Sequence, residues 1–168
     1  DAGLARVARF DPARGVNSLL VERISMASAQ QRAGRAGRTA PGTCLRLWPR
    51  SESHARVQQD TPEVERVDLS QAVLQLAAMG CAAVDFAWLD LPPTQRLTDA
   101  ADQLKRLGAL DELGTLTAAG RAMANIPAHP RLARLLSLAT DRGVGDRAAV
   151  WAALISERDI CLRPIANR

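Results

Sequence analysis

Within eight residues, Gln31 to Arg38 (QRAGRAGR), this chain gathers an amide, three guanidinium groups and two glycines. On a helix advancing about 100° per residue, Gln31, Arg35 and Arg38 stand at i, i+4 and i+7 and form one polar stripe. Ala29, Ala33 and Ala36 repeat that spacing on the opposite side, so one face can pack on a sheet while the other points into a cleft. Gly34 and Gly37 flank the stripe, and each costs a helix interior roughly 1 kcal/mol against Ala. Their presence points to close approach of another backbone or of a phosphate group. Such an array suits phosphoryl transfer: inserted arginines stabilise charge on a terminal phosphate while an amide orients the attacking water. A generic phosphate-binding, Arg-rich helix would also contain an RxxR, but the full octet, with Ser28-Ala29 before it and Pro41-Gly42 leading onward, is more particular.

The elements that must position this octet can be read on either side of it. Leu4 to Phe10 alternates apolar residues with Arg, Asp11-Pro12-Ala13-Arg14-Gly15 is a turn cluster, and Leu19 to Ile24 is a β-prone return, so a hairpin is expected. Ser25 or Ser28 offers an N-cap for the helix, and Thr43 to Trp48, after Pro41-Gly42, reads as a further strand. Residues 1–57 thus form α/β material whose partner strands are expected upstream. From residue 58 to about 127 the pattern turns helical. Asp68 with Gln71 resembles a capping box, followed by Leu69, Val73 and Leu76 on one face. A second helix after Pro92-Pro93 carries Leu97, Ala101, Leu104 and Leu107 up to a stop at Gly108. Leu110 to Leu116 suits a tight two-stranded wing around Gly114, and Thr117 caps a third helix ending before Pro127. Helices followed by a small β wing describe a winged-helix domain. Residues 128–168 supply Pro130 to Arg142 and Asp146 to about Arg158, the beginning of a helical bundle.

Composition bounds the class. The 168 residues are 47% hydrophobic and 24% charged, which describes a globular chain. No apolar run approaches the roughly 18 to 20 residues of a membrane span, and no signal peptide opens the chain, so no membrane partner and a cytoplasmic location are expected. Net charge is +4, with nine Arg against Asp1, Asp11 and Glu22 in residues 1–50, a balance of +6 that leaves −2 to the remainder. Of the 22 basic residues only Lys105 is Lys, a bias that suits bidentate phosphate contacts and that GC-rich coding also produces. Cys44, Cys81 and Cys161 make no CxxC pair and are expected reduced, and Glu63, Glu65 and Asp68 have no metal-ligand logic and are expected to face solvent. No metal site is expected. Trp48, Trp88 and Trp151 could stack bases but, scattered beside apolar neighbours, are expected in the core, His54 is expected solvated, and His129 in a local capping or surface role before Pro130. The opening at Asp1 and the uncapped end at Cys161 to Arg168 suggest an internal piece of a longer protein.

QRAGRAGR resembles motif VI of the DEAH-box helicases of superfamily 2, in which Gln takes the place that DEAD-box proteins fill with His. Gly15 to Ala29 (GVNSLLVERISMASA) looks like the family's stretch between motifs V and VI, and Asp1-Ala2-Gly3 stands where the family has Asp-Ser-Gly, with Ala2 a departure. Gly108-Ala109-Leu110, Leu116 to Arg121 (LTAAGR) and His129 to Arg134 (HPRLAR) resemble the bacterial HrpB branch, and Glu157-Arg158-Asp159 a stretch of the ratchet bundle. The resemblance implies the C-terminal part of a RecA-like domain (1–57), then a winged helix (58–127), then the first helices of the ratchet bundle (128–168). It implies that Gln31, Arg35 and Arg38 contact the terminal phosphate of ATP and its water, supported by Arg32, Gly34 and Gly37. Arg32 points about 100° from Gln31, so it is expected to bind within its own domain or near nucleic acid. By the same resemblance the hairpin from about Arg9 to Ile24 lies against a nucleic-acid strand, single-stranded RNA by family, with Arg14 and Arg23 the residues to test. Both are equally compatible with ordinary exposed hairpin charges.

The sequence has no GxxxxGK[ST] loop and no DEAH acidic box, so ATP and Mg²⁺ would be bound mainly by residues outside it, in the upstream RecA-like domains. Taken alone the chain is expected to be inactive. The competing reading is a stand-alone winged-helix nucleic-acid-binding or regulatory module with a basic N-terminal arm. That reading leaves the Gln31, Arg35, Arg38 stripe without a cause, and Asp99 to Gly120 carries Asp99, Asp102, Asp111 and Glu112 against Lys105 and Arg106, a poor balance for a DNA-reading wing.

Overall fold

A computed structural model describes residues 1–11 and 15–156. The described residues form a two-stranded sheet and seven α-helices, in two compact units.

The first unit, Asp1–Phe10 with Asn17–Val67, is built on the expected hairpin. Strand β1, Leu4–Asp11, pairs with β2, Val16–Arg23. Two helices follow, α1 at Met26–Ala33 and α2 at Arg50–Ala55, with a 3-10 turn at Glu63–Glu65. The free edge of β1 is partly satisfied by Arg66, whose carbonyl accepts from the Phe10 N–H (3.0 Å) and whose Nη1 donates to the Ala8 carbonyl (2.9 Å). The expected strand at Thr43 to Trp48 does not form. A strand needs a ladder partner, and this stretch pairs only at Asp1, whose N–H donates to the Leu45 carbonyl (2.7 Å) and whose carbonyl accepts from the Leu47 N–H (2.9 Å).

The second unit takes in Asp11–Val16 and the chain from Asp68 onward. Helix α3, Ser70–Ala78, begins just after Asp68, whose Oδ1 accepts from the Ser70 N–H (2.9 Å). That bond caps the helix without the Gln71 reciprocity expected of a capping box. Helix α4, Thr94–Arg106, buries Leu97, Ala100, Gln103 and Leu104. Its stop at Gly108 is the expected one: the Ala109 N–H reaches the Leu104 carbonyl (2.9 Å) and the Gly108 N–H the Lys105 carbonyl (2.8 Å), with Gly108 at φ 71°. The wing is a single bridge between Leu110 and Leu116 and not two full strands, because Asp111 turns the chain at once, its Oδ1 accepting from the Thr115 N–H (2.8 Å). Thr117 caps α5, Ala118–Ala124, through Oγ1 to the Gly120 N–H (2.9 Å).

Helices α6, Pro130–Asp141, and α7, Gly145–Ser156, follow, joined through Gly143. Leu74, Leu104, Ala109, Met123 and Ala133 make the core, and Leu132 meets Ala152 where α6 and α7 pack. Trp151 stays 67% exposed on α7, against the expectation of a core residue, because the α6 contact is made through Ala148 and Ala152 on the helix's other flank. Trp88 is half-buried, its ring edge-on to Phe86 (centroids 5.0 Å apart). Pro12 to Arg14, Glu157-Arg158-Asp159 and Cys161 lie outside the described residues.

Candidate functional site

The octet begins on α1 and leaves it. Ser25 takes the N-cap position, its Oγ accepting from the Ser28 N–H (3.0 Å), and Ala29 is fully buried as the packing residue of the helix. The helix stops at Ala33, with Gly34 as C-cap. Past it the Arg35 and Ala36 N–H groups bond the carbonyls three residues back (both 3.1 Å), and the chain bends through Ala40. The continuous helical stripe through Gln31, Arg35 and Arg38 is therefore corrected: Gln31 and Arg32 stand on the last turn of α1, while Arg35 and Arg38 stand on the loop after it. The reason is local and tertiary at once. Two glycines lower helix propensity at the exit, and the returning chain crosses so closely that a Cβ on Gly42 would lie 1.9 Å from the Ala36 carbonyl oxygen.

Gln31, Arg35 and Arg38 are exposed, and among the described residues their side chains have no hydrogen bond or ion pair. Arg32 differs. Its Nη1 donates to the Leu4 carbonyl (3.0 Å) and its Nη2 pairs with Asp1 Oδ1 (3.1 Å), so it ties the helix to the first strand of its own unit, one of the two roles expected of it. Gly34 and Gly37 have ordinary negative φ and no crowding neighbour: a Cβ on Gly37 would meet nothing within 4 Å. A Cβ on Gly34 would meet only the Gln31 and Gln30 carbonyl oxygens of the preceding turn, at 3.5 and 3.6 Å, an ordinary contact.

Of the hairpin arginines, Arg14 lies outside the described residues, and Arg23 is 69% exposed with a loose ion pair to Glu52 (3.6 Å). Arg9 is held by Glu22 across the hairpin, Nη2 to Oε2 at 2.8 Å, which raises the guanidinium pKa and lowers that of the carboxyl.

Sequence reasoning passed over two residues that organise this unit, Arg56 and Asp60. Arg56 is buried, its Nη1 donating to the carbonyls of Gly3 (3.0 Å) and Ile24 (2.9 Å) and its Nη2 pairing with Glu52 (2.7 Å). Its guanidinium lies 4.3 Å from the ring centre of Trp48, which is half-buried and donates its indole N–H to Ser53 Oγ (3.0 Å). Asp60 accepts from the Ser25 N–H (3.2 Å) and from Ser28 Oγ (2.6 Å), and these bonds, Ser28 first, hold its carboxyl below the usual carboxylate range. Glu52 and Arg56 form an i,i+4 pair that the sequence does show, but the Gly3 and Ile24 carbonyls that Arg56 meets, and the Ser25 and Ser28 groups that Asp60 meets, lie 32 to 53 positions away.

In the second unit, Asp68 and His129 are not the separate surface groups expected. Asp68 Oδ1 lies 3.1 Å from His129 Nε2 and accepts from Ser70, while Gln103 links Ser70 (3.0 Å) to Arg131 (2.8 Å). His129 does cap α6, its Nδ1 accepting from the Arg131 N–H (3.4 Å), so the ring proton resides on Nε2 and points at Asp68. Burial raises the Asp68 carboxyl, but the bonds from His129 and Ser70 outweigh it and the net shift is downward. This hydrogen-bonded cluster joins α3, α4 and α6 through Ser70, Gln103 and Arg131. Among the described residues no group of three His, Cys, Asp or Glu side chains could hold a metal ion, and no helix is long and apolar enough to cross a membrane.

Residues 100–128, the end of α4 through the wing and α5, match the family described as Helicase associated domain (HA2), winged-helix. Over 166 residues, 98% of this chain, the sequence is 39% identical to the pre-mRNA-splicing factor ATP-dependent RNA helicase prp22 of Schizosaccharomyces pombe, of which it spans 14%. Two crystal structures from Escherichia coli superpose over 96% of the chain at 39% identity. They are the DExH-box NTPase HrpB (TM-score 0.73, 20% of that chain) and the DEAH/RHA helicase HrpB (TM-score 0.78, 21% of that chain).

Proposed function

We propose that this chain, 39% identical over nearly its whole length to DEAH-box helicases, is a piece of such a protein and supplies the arginine-finger half of the ATP site of an ATP-dependent RNA helicase, together with part of its nucleic-acid channel. The observation that carries the reading is the set of three exposed side chains without partners among the described residues, Gln31 on the last turn of α1 and Arg35 and Arg38 on the loop that runs from α1 to the crossing at Gly42. Arg35 and Arg38 meet the charge that develops on the terminal phosphate, and Gln31 orients the attacking water. Gly34 and Gly37 keep the approach clear, and Arg32 holds the helix to β1. Among the described residues no group of three His, Cys, Asp or Glu side chains could hold an ion, and the sequence has no phosphate loop or DEAH box, so this reading assigns the ion and the phosphate cradle to RecA-like domains elsewhere in the protein.

The same reading divides the chain into part of a RecA-like domain (1–57), a winged helix (58–127) and the start of a ratchet bundle (128–168), in a cytoplasmic protein acting on single-stranded RNA. The hairpin lies along that strand, with Arg23 and Arg14 as its phosphate contacts. Arg35→Ala and Arg38→Ala in the full-length protein test it. Each should lower ATP turnover about 10³-fold or more, the scale of a lost arginine finger, with RNA affinity held within about threefold because neither contacts the strand. Undiminished hydrolysis in either variant refutes the assignment.

A further inference from the structure

We infer that the segment from Arg56 to Asp60 is a latch that positions the finger loop, with Arg56 and Asp60 acting as positioning residues for Arg35 and Arg38. The inference rests on the finger reading above and adds to it what holds the fingers in place.

Helix α1 has only eight residues and buries one of them, Ala29, so side-chain packing alone leaves its tilt and rotation weakly determined. The hydrogen bonds at its start do more. A helix opens with four N–H groups that have no partner inside it, and here all four are met. Ser25 donates to Asp60 Oδ1 (3.2 Å), Met26 to the Val57 carbonyl (2.9 Å), Ala27 to the Gln58 carbonyl (3.0 Å) and Ser28 to Ser25 Oγ (3.0 Å). Three of these four acceptors come from residues 57–60, and Ser28 Oγ adds a fourth bond, to Asp60 Oδ2 (2.6 Å). Backbone carbonyls at successive positions fix the axis of the helix as well as its end, since both must be met together. Arg56 anchors the latch itself: buried over Trp48 and paired to Glu52, it holds the Ile24 carbonyl immediately before the cap and the Gly3 carbonyl on the neighbouring stretch. Asp60, by contrast, touches the entry of α1 at Ser25 and Ser28, from a position near the surface. Its removal should therefore move the helix more than it unfolds the unit.

The test uses Asp60→Ala, Asp60→Asn and Ser28→Ala, with Arg35→Ala alongside, in the full-length protein, read as kcat and KM for ATP. Misplacing catalytic groups by about an ångström costs on the order of 10²-fold, so Asp60→Ala should lower kcat ten- to a hundredfold, with KM within about threefold. Asp60→Asn should stay within about twofold, because its carbonyl oxygen still accepts from Ser25 and its amide reaches Ser28 Oγ. In the full-length protein, amide exchange at Met26 and Ala27 should quicken in Asp60→Ala and not in Asp60→Asn. Should Asp60→Ala fail to fold, Ser28→Ala, which removes one surface bond and leaves the Ser25 cap, carries the test with a smaller loss of kcat. Wild-type kcat in Asp60→Ala or, where that variant does not fold, in Ser28→Ala overturns the latch, as does an equal loss in Asp60→Asn. If Arg35→Ala itself turns over normally, the finger reading has failed instead.

Discussion

Replacing Gly42 by Ala isolates the crossing that closes the finger loop. The added Cβ would stand 1.9 Å from the Ala36 carbonyl oxygen and 2.7 Å from its carbon, where real Cβ contacts essentially never fall below 3.0 Å. Something must move by more than an ångström. Pro41, with its fixed φ, stiffens the Gly42 side of the crossing, so the displacement falls mainly on Ala36 and hence on Arg35 and Arg38 beside it. An ångström at a phosphate-contacting guanidinium is worth on the order of 10²-fold in rate, or roughly 2.7 kcal/mol of transition-state stabilisation. The effect on stability should be smaller, about 1 kcal/mol, because the loop is exposed. The assay is single-turnover ATP hydrolysis by the full-length protein, with thermal unfolding alongside. Gly37→Ala is the companion: its Cβ meets nothing within 4 Å, so unfolding should not change, and any loss of turnover reports approach from outside the unit. Turnover in Gly42→Ala within about threefold of wild type would refute the claim that this crossing sets the fingers.

Two further outcomes concern stability. Both Asp60 and Asp68 have carboxyls held below the ordinary value by hydrogen bonds made in the folded chain. Their contribution is complete above the unfolded carboxylate pKa of about 4 and drains away as pH falls through the lower folded values. Urea unfolding between about pH 5 and 2.5 should show the wild type losing stability steadily and Asp68→Asn losing less; equal slopes would contradict the ionised cluster. In the second unit, a Cβ at Gly120 would lie 2.2 Å from the Ala109 carbonyl oxygen and 2.7 Å from Leu116 Cδ1, so Gly120→Ala should cost about 1–3 kcal/mol by overpacking. An unchanged unfolding midpoint would show that α5 shifts freely beneath the wing.

What could be read from the sequence was governed by how far each signal reached along the chain. The hairpin, the Ser25 and Thr117 caps, the Gly108 stop and the ends of α6 all depend on residues within a turn or two, and they stand where the local pattern puts them. The octet's helical stripe failed at Gly34 because a 3.6-residue period continues on paper through glycines that a chain does not honour once Gly42 crosses it. The strand at Thr43 to Trp48 failed because a ladder depends on a neighbour, and that neighbour is limited to Asp1. Asp68 was misjudged as a solvent-facing carboxylate for the same reason: His129 stands 61 positions away. Arg56 carried only its i,i+4 pairing with Glu52, and the bonds that make it and Asp60 matter run to residues 32 to 53 positions away. The residue types of the candidate site were therefore legible, while the contacts that hold it were not.

The pairing of Trp48 with Arg56 has an optical consequence. The sequence contains three tryptophans and no tyrosine, so near-ultraviolet absorption and intrinsic emission arise from indoles. Trp88 and Trp151 belong to the second unit, and Trp48 is the single indole of the first. With the other two replaced by phenylalanine, the emission of this chain would come from the one ring that lies against the guanidinium of Arg56, with Arg46 farther off and Ser53 on the indole N–H, and would report on that setting alone.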